Sequence, residues 1–333
     1  MQSFWDKLPK PFFVLAPMAD VTDAAFRRVI AKYGKPDVMW TEFVSADGLC
    51  HPMGREKLLI DLQYTEAERP IVAQLFTAHP EKMLEAAKLV QELGFDGLDI
   101  NMGCPDRTVE KQGAGAALIK NPKLAQEVIR AAQAGAPKLP ISVKTRIGYN
   151  RDELDSWTPS LLETGISALT IHARTRKEMS KVPARWERVA AAVKIRDELG
   201  SKTLILGNGD VRDMTHAREL AKETGADGIM LGRAIFGNPW LFAESGTQGA
   251  SLKIQDQGRT FDLIKERLKV LVEHTKLFEE LLSGKSFAIM KKHYKAYVRG
   301  WDGADELRAE LMAAANAREV ESVVDKYLSS MLV

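Results

Sequence analysis

Eight short runs rich in β-branched and apolar residues punctuate the chain between residues 12 and 231, with amphipathic helical stretches in the gaps. The runs are Phe12 to Met18, Val38 to Val44, Ile71 to Phe76, Leu98 to Met102, Ile141 to Ile147, Leu169 to Ala173, Leu204 to Leu206 and Ile229 to Leu231. The helical patterns include Asp23 to Tyr33, Glu81 to Leu93, Pro122 to Ala134, Ala184 to Leu199 and Asp213 to Glu223. Strands that alternate with helices pair in parallel through right-handed crossovers, because no tight turn can reach a parallel neighbour. Eight such units favour a closed ring over an open doubly wound sheet. The expected fold is α/β, a (β/α)8 TIM barrel.

The ends of the runs carry a second regularity. Polar or glycine residues sit at or just past nearly every C-terminal end: Pro17-Met18, Glu42, Gln74, Asn101, Lys144 with Arg146, His172 with Arg174, Asn208-Gly209-Asp210, and Gly232-Arg233. In a barrel those ends face one mouth, where active sites are built. Beyond a candidate linker, Leu252 to Gly258, the pattern turns to long helical stretches without strands. We therefore expect a catalytic barrel over residues 1–250 and a C-terminal all-helical domain over residues 259–333.

Composition narrows the function classes. The formal net charge is only +2, so any polyanion site has to come from local clustering. Two cysteines, Cys50 and Cys104, exclude a disulfide framework and a four-cysteine metal site; no metal is expected, and a reducing, cytoplasmic compartment fits best. The N-terminus has no basic segment leading into an apolar run, and no apolar stretch reaches membrane-spanning length, so neither secretion nor membrane insertion is expected. No exposed apolar helix face calls for a stable oligomer, and a monomer is expected.

Gly207-Asn208-Gly209-Asp210 follows the seventh run and Gly232-Arg233 the eighth. These are the loops in which barrels bind a cofactor phosphate. Glycines let backbone N–H groups come close, and an arginine adds a charged, bidentate contact. Lys144 lies in an apolar run where its charge is costly without a partner. His172 ends the neighbouring run, and Gln74 is placed to hydrogen-bond a pyrimidine-like ring edge. Cys104 lies in Asn101-Met102-Gly103-Cys104-Pro105, at the mouth, and opens a loop that holds Arg107, Lys111, Gly113, Ala114 and Gly115. A thiol with a pKa of about 8.5 is mostly protonated at neutral pH and can act as a general acid; with a lowered pKa it is a nucleophile. Sequence alone leaves both roles open. Cys50 beside His51 has no comparable setting.

At these residues the chain closely resembles the tRNA-dihydrouridine synthase family. The likeness rests on Ala16-Pro17-Met18, the Asn101 to Pro105 motif, Lys144-Thr145-Arg146, His172-Ala173-Arg174-Thr175-Arg176, Gly207-Asn208-Gly209-Asp210 and Gly232-Arg233, in that order. The resemblance implies a barrel that binds FMN, takes electrons from NADPH (or NADH) and reduces a uridine in the dihydrouridine loop of tRNA. Hydride goes to C6, and Cys104 protonates C5. The resemblance places Pro17, Met18 and Ala19 along the flavin, with Gln74 and Lys144 at its ring system. His172, Asn208, Gly209, Asp210, Gly232 and Arg233 take its ribityl and phosphate end, and Asn101 borders flavin and substrate. One departure stands out. After the His172 motif the family often has an aromatic and then a glycine, where this chain has Ser180 and Val182.

The C-terminal helices add an independent sign of RNA. No acidic residue falls between Glu280 and Asp302, whereas Lys285, Lys291, Lys292, Lys295 and Arg299 do, interleaved with Phe287, Tyr294, Tyr297 and Trp301. On a continuous helix Lys291, Lys295 and Arg299 line one face and can track phosphates, while aromatics can stack on unpaired bases. Arg107, Lys111, Arg174 and Arg176 would extend the positive rim around the mouth. The alternatives are an FMN-dependent oxidoreductase of free pyrimidines, like a dihydroorotate dehydrogenase, which needs no basic bundle, and an RNA-binding protein that has lost catalysis.

Overall fold

The computed structural model describes residues 3–243 and 257–331. Its strands are β1 (Phe12–Leu15), β2 (Met39–Ser45), β3 (Ile71–Phe76), β4 (Gly97–Met102), β5 (Ile141–Arg146), β6 (Ala168–His172), β7 (Leu204–Asn208) and β8 (Gly228–Leu231). All pair in parallel, in the order β1-β8-β7-β6-β5-β4-β3-β2. A bridge between Val14 and Val38 joins β1 to β2, and the Asp37 N–H donates to the Phe13 carbonyl at 2.9 Å, which closes the ring. The fold is the (β/α)8 barrel that the alternation predicts. β1 stops short of Met18 because Pro17 has no N–H for the ladder; the Ala16 N–H makes the last rung, to the Leu231 carbonyl at 2.8 Å. Between β5 and β6 lies a helix, Leu154–Leu162, that periodicity does not announce, since it is short and contains Pro159.

Successive side chains of a strand face opposite sides, so one parity fills the barrel and the other lies under the helices. On the inward parity, the N-terminal halves of the strands are apolar. Phe12, Val14, Trp40, Val72, Ala168, Leu206 and Met230 form one buried cluster with Val38 and Trp5. Trp5 comes from a short turn capped by Ser3 and stacks near Phe12 and Trp40, with centroids 5.6 and 6.1 Å away. Two or four residues further along the same faces the chain becomes polar: Gln74, Asp99, Asn101, Lys144, Arg146, Thr170, His172 and Asn208. A dry plug at one end thus supports a polar mouth at the other.

The outward parity packs closely as well. A Cβ at Gly207 of β7 would run into the ring of Trp186, at the start of the helix Trp186–Glu198. Gly207→Ala is therefore expected to destabilise the protein by about 1–3 kcal/mol, the range for overpacking. Urea unfolding should show a lower midpoint at unchanged slope; a wild-type midpoint would mean that the indole moves aside freely.

Packing divides the chain into two compact units, Met1–Ala19 with Asp37–Arg233, and Asp20–Pro36 with Ala234–Val333. The first holds the barrel. The helix Ala24–Tyr33, which follows β1 in sequence, belongs to the second unit with Gln257–Leu281, Met290–Tyr297, Ala304–Ala313 and Ala317–Ser330. Lys32 and Tyr33 both bond Glu273, at 2.7 and 2.6 Å, and Phe26 packs its ring against His274 and His293. The expected boundary at residue 250 and linker residues 252–256 lie outside the described residues. No helix among the described residues is long and apolar enough to cross a membrane.

Candidate active site

The β3, β4 and β5 ends build one hydrogen-bonded cluster. Register sets Gln74 beside Asp99, Asp99 beside Ser142, and Asn101 beside Lys144. Asp99, 1% exposed, accepts from Ser142 Oγ at 2.5 Å and from Gln74 Nε2 at 2.6 Å. Burial pushes its carboxyl up to about 6, against the pull of those two bonds and of the Lys144 charge. Asn101 Nδ2 donates to Gln74 Oε1 at 3.1 Å. Lys144 is half-buried and makes no side-chain hydrogen bond among the described residues. Burial, with the charge of Arg146 beside it, pushes its ammonium down to about 8. Among the described residues Arg146 donates to carbonyl oxygens: Gly103 at 2.8 Å, and Thr175 and Met179 each at 3.2 Å.

Cys104 stands where β4 gives way to its loop. Asn101 Oδ1 accepts from the backbone N–H groups of Gly103 and Cys104, at 3.1 and 2.9 Å, so the strand end folds back on itself. The loop then returns: the Ala116 N–H donates to the Cys104 carbonyl at 3.0 Å. Gly115 permits this with φ +62°, and a Cβ there would fall 2.8 Å from both that carbonyl oxygen and Val109 Cγ1. The half-buried thiol packs against the apolar cluster of Phe76, Val109 and Ala114. Burial raises its pKa above the ordinary thiol value, outweighing the cations Lys144 and Arg146 nearby. A thiol raised in this way stays protonated at neutral pH, which favours the acid over the nucleophile. In a Cys50→Ser background, iodoacetamide should therefore modify Cys104 more slowly at pH 8 than it modifies a free cysteine peptide. Faster modification would reveal a thiolate and reverse the role.

The β6, β7 and β8 ends form a second, cationic cluster around Asp210. This residue takes φ +51°, a left-handed conformation that Asp tolerates better than most. Its carboxylate accepts from Arg174, from Arg233 at 2.6 Å and from the Ala184 N–H at 3.0 Å. Burial alone would raise its pKa, but these contacts together hold it below the ordinary value. Gly209 has φ +130°, and a Cβ there would meet Ala184 at 2.9 Å and the His172 ring at 3.2 Å. Asn208 Nδ2 donates to the Met230 carbonyl at 2.8 Å. Gly232 lies against Ala16 and Met18, which brings the start and end of the ring together. His172 is kept neutral by burial and by Arg146, Lys144 and Arg174 around it. Arg174 Nη1 approaches His172 Nε2 at 3.2 Å and can only donate, so the ring proton belongs on Nδ1. Lys144 thus stands near the carboxylate of Asp99, and Arg174 and Arg233 bind that of Asp210, with Arg146 beside Lys144.

A model of the dihydrouridine synthase family matches residues 14–332. The chain belongs to the dihydrouridine synthase family. A probable tRNA-dihydrouridine synthase 2 of Bacillus subtilis (strain 168) is 42% identical over 327 residues, 98% of this chain and 97% of that protein. A probable tRNA-dihydrouridine synthase of Staphylococcus aureus (strain COL) is 40% identical over 331 residues, 99% and 97% of the two chains. Among solved structures, a 2-naphthoyl-CoA reductase aligns with a TM-score of 0.53 at 11% identity, over 72% of this chain and 50% of that one, a likeness of fold alone.

Dihydrouridine synthases are flavin-dependent oxidoreductases, and the residues of this mouth fit a flavin. Lys144, half-buried and without a side-chain hydrogen bond among the described residues, stands at one side, and a glycine turn beside an exposed arginine at the other. Pro17 and Met18 are half-buried and Ala19 is exposed.

The residues expected to meet RNA are placed unevenly. Arg107 and Lys111 are exposed on the short helix Arg107–Lys111. Arg174, 2% exposed and committed to Asp210, is no part of an accessible rim. Arg176 is half-buried, bonded through Nε to Glu110 at 2.7 Å and stacked 5.2 Å from the Tyr149 ring. The helix Met290–Tyr297 ends before Arg299, so the stripe stops at Lys295, and Arg299 turns to the Phe236 carbonyl at 3.3 Å. Lys291 is half-buried and Lys295 exposed. Tyr294 and Tyr297, 0% and 1% exposed, are core and offer no face to a base; they stand three apart on the same apolar side as Met290. At Ser180 and Val182 the loop is held by its backbone, with Arg174 Nε donating to the Val182 carbonyl at 2.6 Å. Sequence reasoning missed Asp99 and Glu110. The alternation of Asp99 with Asn101 on one strand face was the available signal for the first; Glu110 gave none.

Proposed function

We propose that this enzyme is a tRNA-dihydrouridine synthase that uses FMN, with NADPH as reductant, to saturate the C5=C6 bond of a uridine in the dihydrouridine loop. The observation that carries the reading is the placement of Cys104 at the barrel mouth, its backbone held by Asn101, which pairs across the sheet with Lys144; burial raises the thiol above its ordinary pKa. Near-full-length likeness to probable tRNA-dihydrouridine synthases supports it. When bound, the reduced flavin supplies hydride to C6 of the uracil ring.

Cys104 passes its Sγ proton to C5 and is left as a thiolate, which solvent reprotonates. Lys144 and Gln74 hold the polar edge of the ring system. Gly209, Gly232 and Arg233 take the phosphate, His172 and Asn208 the ribityl chain, and Pro17, Met18 and Ala19 line the flavin. Asp210 fixes Arg233 in place. Asn101 meets flavin and substrate, and Arg107, Lys111 and Arg176 meet RNA. A uridine must leave its stack to reach this mouth, so a loop is a better substrate than a duplex. Two free cysteines suit a cytoplasmic setting.

The helical unit tests the RNA half of the reading. Lys291→Glu with Lys295→Glu is expected to weaken tRNA binding while NADPH oxidation stays at the wild-type rate. The slope of log affinity against log salt should fall by roughly 1 to 2, at about 0.7–0.9 per lost phosphate contact. An unchanged affinity across a salt series would remove these lysines from the RNA surface.

A further inference from the structure

The amide chain that ends on Cys104 has a direction, and one residue sets it. A carboxylate only accepts hydrogen bonds, and both oxygens of Asp99 are engaged, by Ser142 and by Gln74 Nε2. With its amine end committed to Asp99, Gln74 presents its oxygen to Asn101, whose Nδ2 donates to it. Asn101 is committed in turn, and its oxygen is left for the N–H groups of Gly103 and Cys104. Reversing Gln74 would set its NH2 against that of Asn101. Asn101 would then have to turn and face two backbone donors with a third. Each amide has two orientations of nearly equal shape, and all three side chains are buried, so no bulk water can satisfy the wrong one.

We propose that Asp99 is a positioning residue: it fixes the orientation of Gln74 and Asn101, and through them holds the Cys104 thiol where it delivers its proton. The inference rests on the acid role assigned to Cys104. Asp99→Asn keeps the shape but lets either end of Gln74 face residue 99. Ser142→Ala removes the hydroxyl from the other oxygen and leaves the direction of the chain intact.

The holoenzyme variants are followed anaerobically in two half-reactions, flavin reduction by NADPH and reoxidation by unmodified tRNA. Misplacement of a reacting group by 1 Å costs about 100-fold, so reoxidation should slow about 100-fold in D99N and less than about threefold in S142A. Reduction by NADPH is followed beside it and should slow less than reoxidation, because Gln74 also meets the flavin ring. Deuterium exchange at the Gly103 and Cys104 amides, read on protein with and without flavin, should quicken in D99N and stay at wild type in S142A. Wild-type exchange and reoxidation in D99N would overturn the inference. Equal losses in both variants, in reoxidation or in exchange, would also overturn it, because Asp99 would then be a general support of the pocket. Failure of tRNA to reoxidise the wild-type enzyme would instead sink the acid role of Cys104, and the exchange comparison would still decide the amide chain.

Discussion

Cys104→Ala is expected to keep its flavin and its NADPH oxidation while dihydrouridine formation falls about 10²- to 10⁴-fold, the range that a positioned general acid contributes. The separation follows from the position of the thiol. The Cys104 side chain packs against Phe76, Val109 and Ala114, away from the cluster around Asp210. Its backbone contacts to Asn101 and Ala116 survive the substitution. Because the thiol is buried and raised above its ordinary pKa, its own contribution to the wild-type rate should be level through neutral pH and fall on the alkaline side, as the proton is lost. Loss of flavin from the variant would make Cys104 a structural residue and place the acid elsewhere.

Asp210→Ala is expected to have the largest effect on cofactor retention. One carboxylate ties together Arg174, whose side chain is 3% exposed, and Arg233, at 65%. Its removal strands the Arg174 charge and frees the loop that Ala184 anchors. Breaking a fully buried pair costs about 3–5 kcal/mol. Asp210 is one-third exposed, so screening brings the figure to the low end of that range or below. FMN affinity should fall by at least about tenfold, or ~1.4 kcal/mol, with a lower melting temperature. Asp210 is held below its ordinary pKa, so its contribution is complete above about pH 4 and is lost only on further acidification. Wild-type flavin retention should therefore owe no change between pH 6 and 8 to this residue. An Asp210→Ala protein with wild-type FMN affinity would remove the Asp210 cluster from the phosphate site.

The barrel was legible because its signal is periodic. β3 matches its sequence run from end to end, and the polar residues at the strand ends do gather at one mouth. The packing partner of Ala24–Tyr33 was not legible, since an amphipathic helix shows which side is buried but not what it meets. For the same reason Tyr294 and Tyr297 read as stacking surfaces when they are core. Charge alone also misled at Arg174, whose partner Asp210 lies far away in sequence. Asp99 escaped because a lone acid between Leu98 and Ile100 reads as an interruption of a strand. It acquires meaning only when register sets it between Gln74 and Ser142.

The most direct test of the central claim is anaerobic. The flavin of the purified protein is reduced with NADPH, and its absorbance is followed after unmodified tRNA or orotate is added in separate trials. Rapid reoxidation by tRNA and none by orotate is the predicted result. Reoxidation by orotate and not by tRNA would contradict it and turn the enzyme into an oxidoreductase of free pyrimidines.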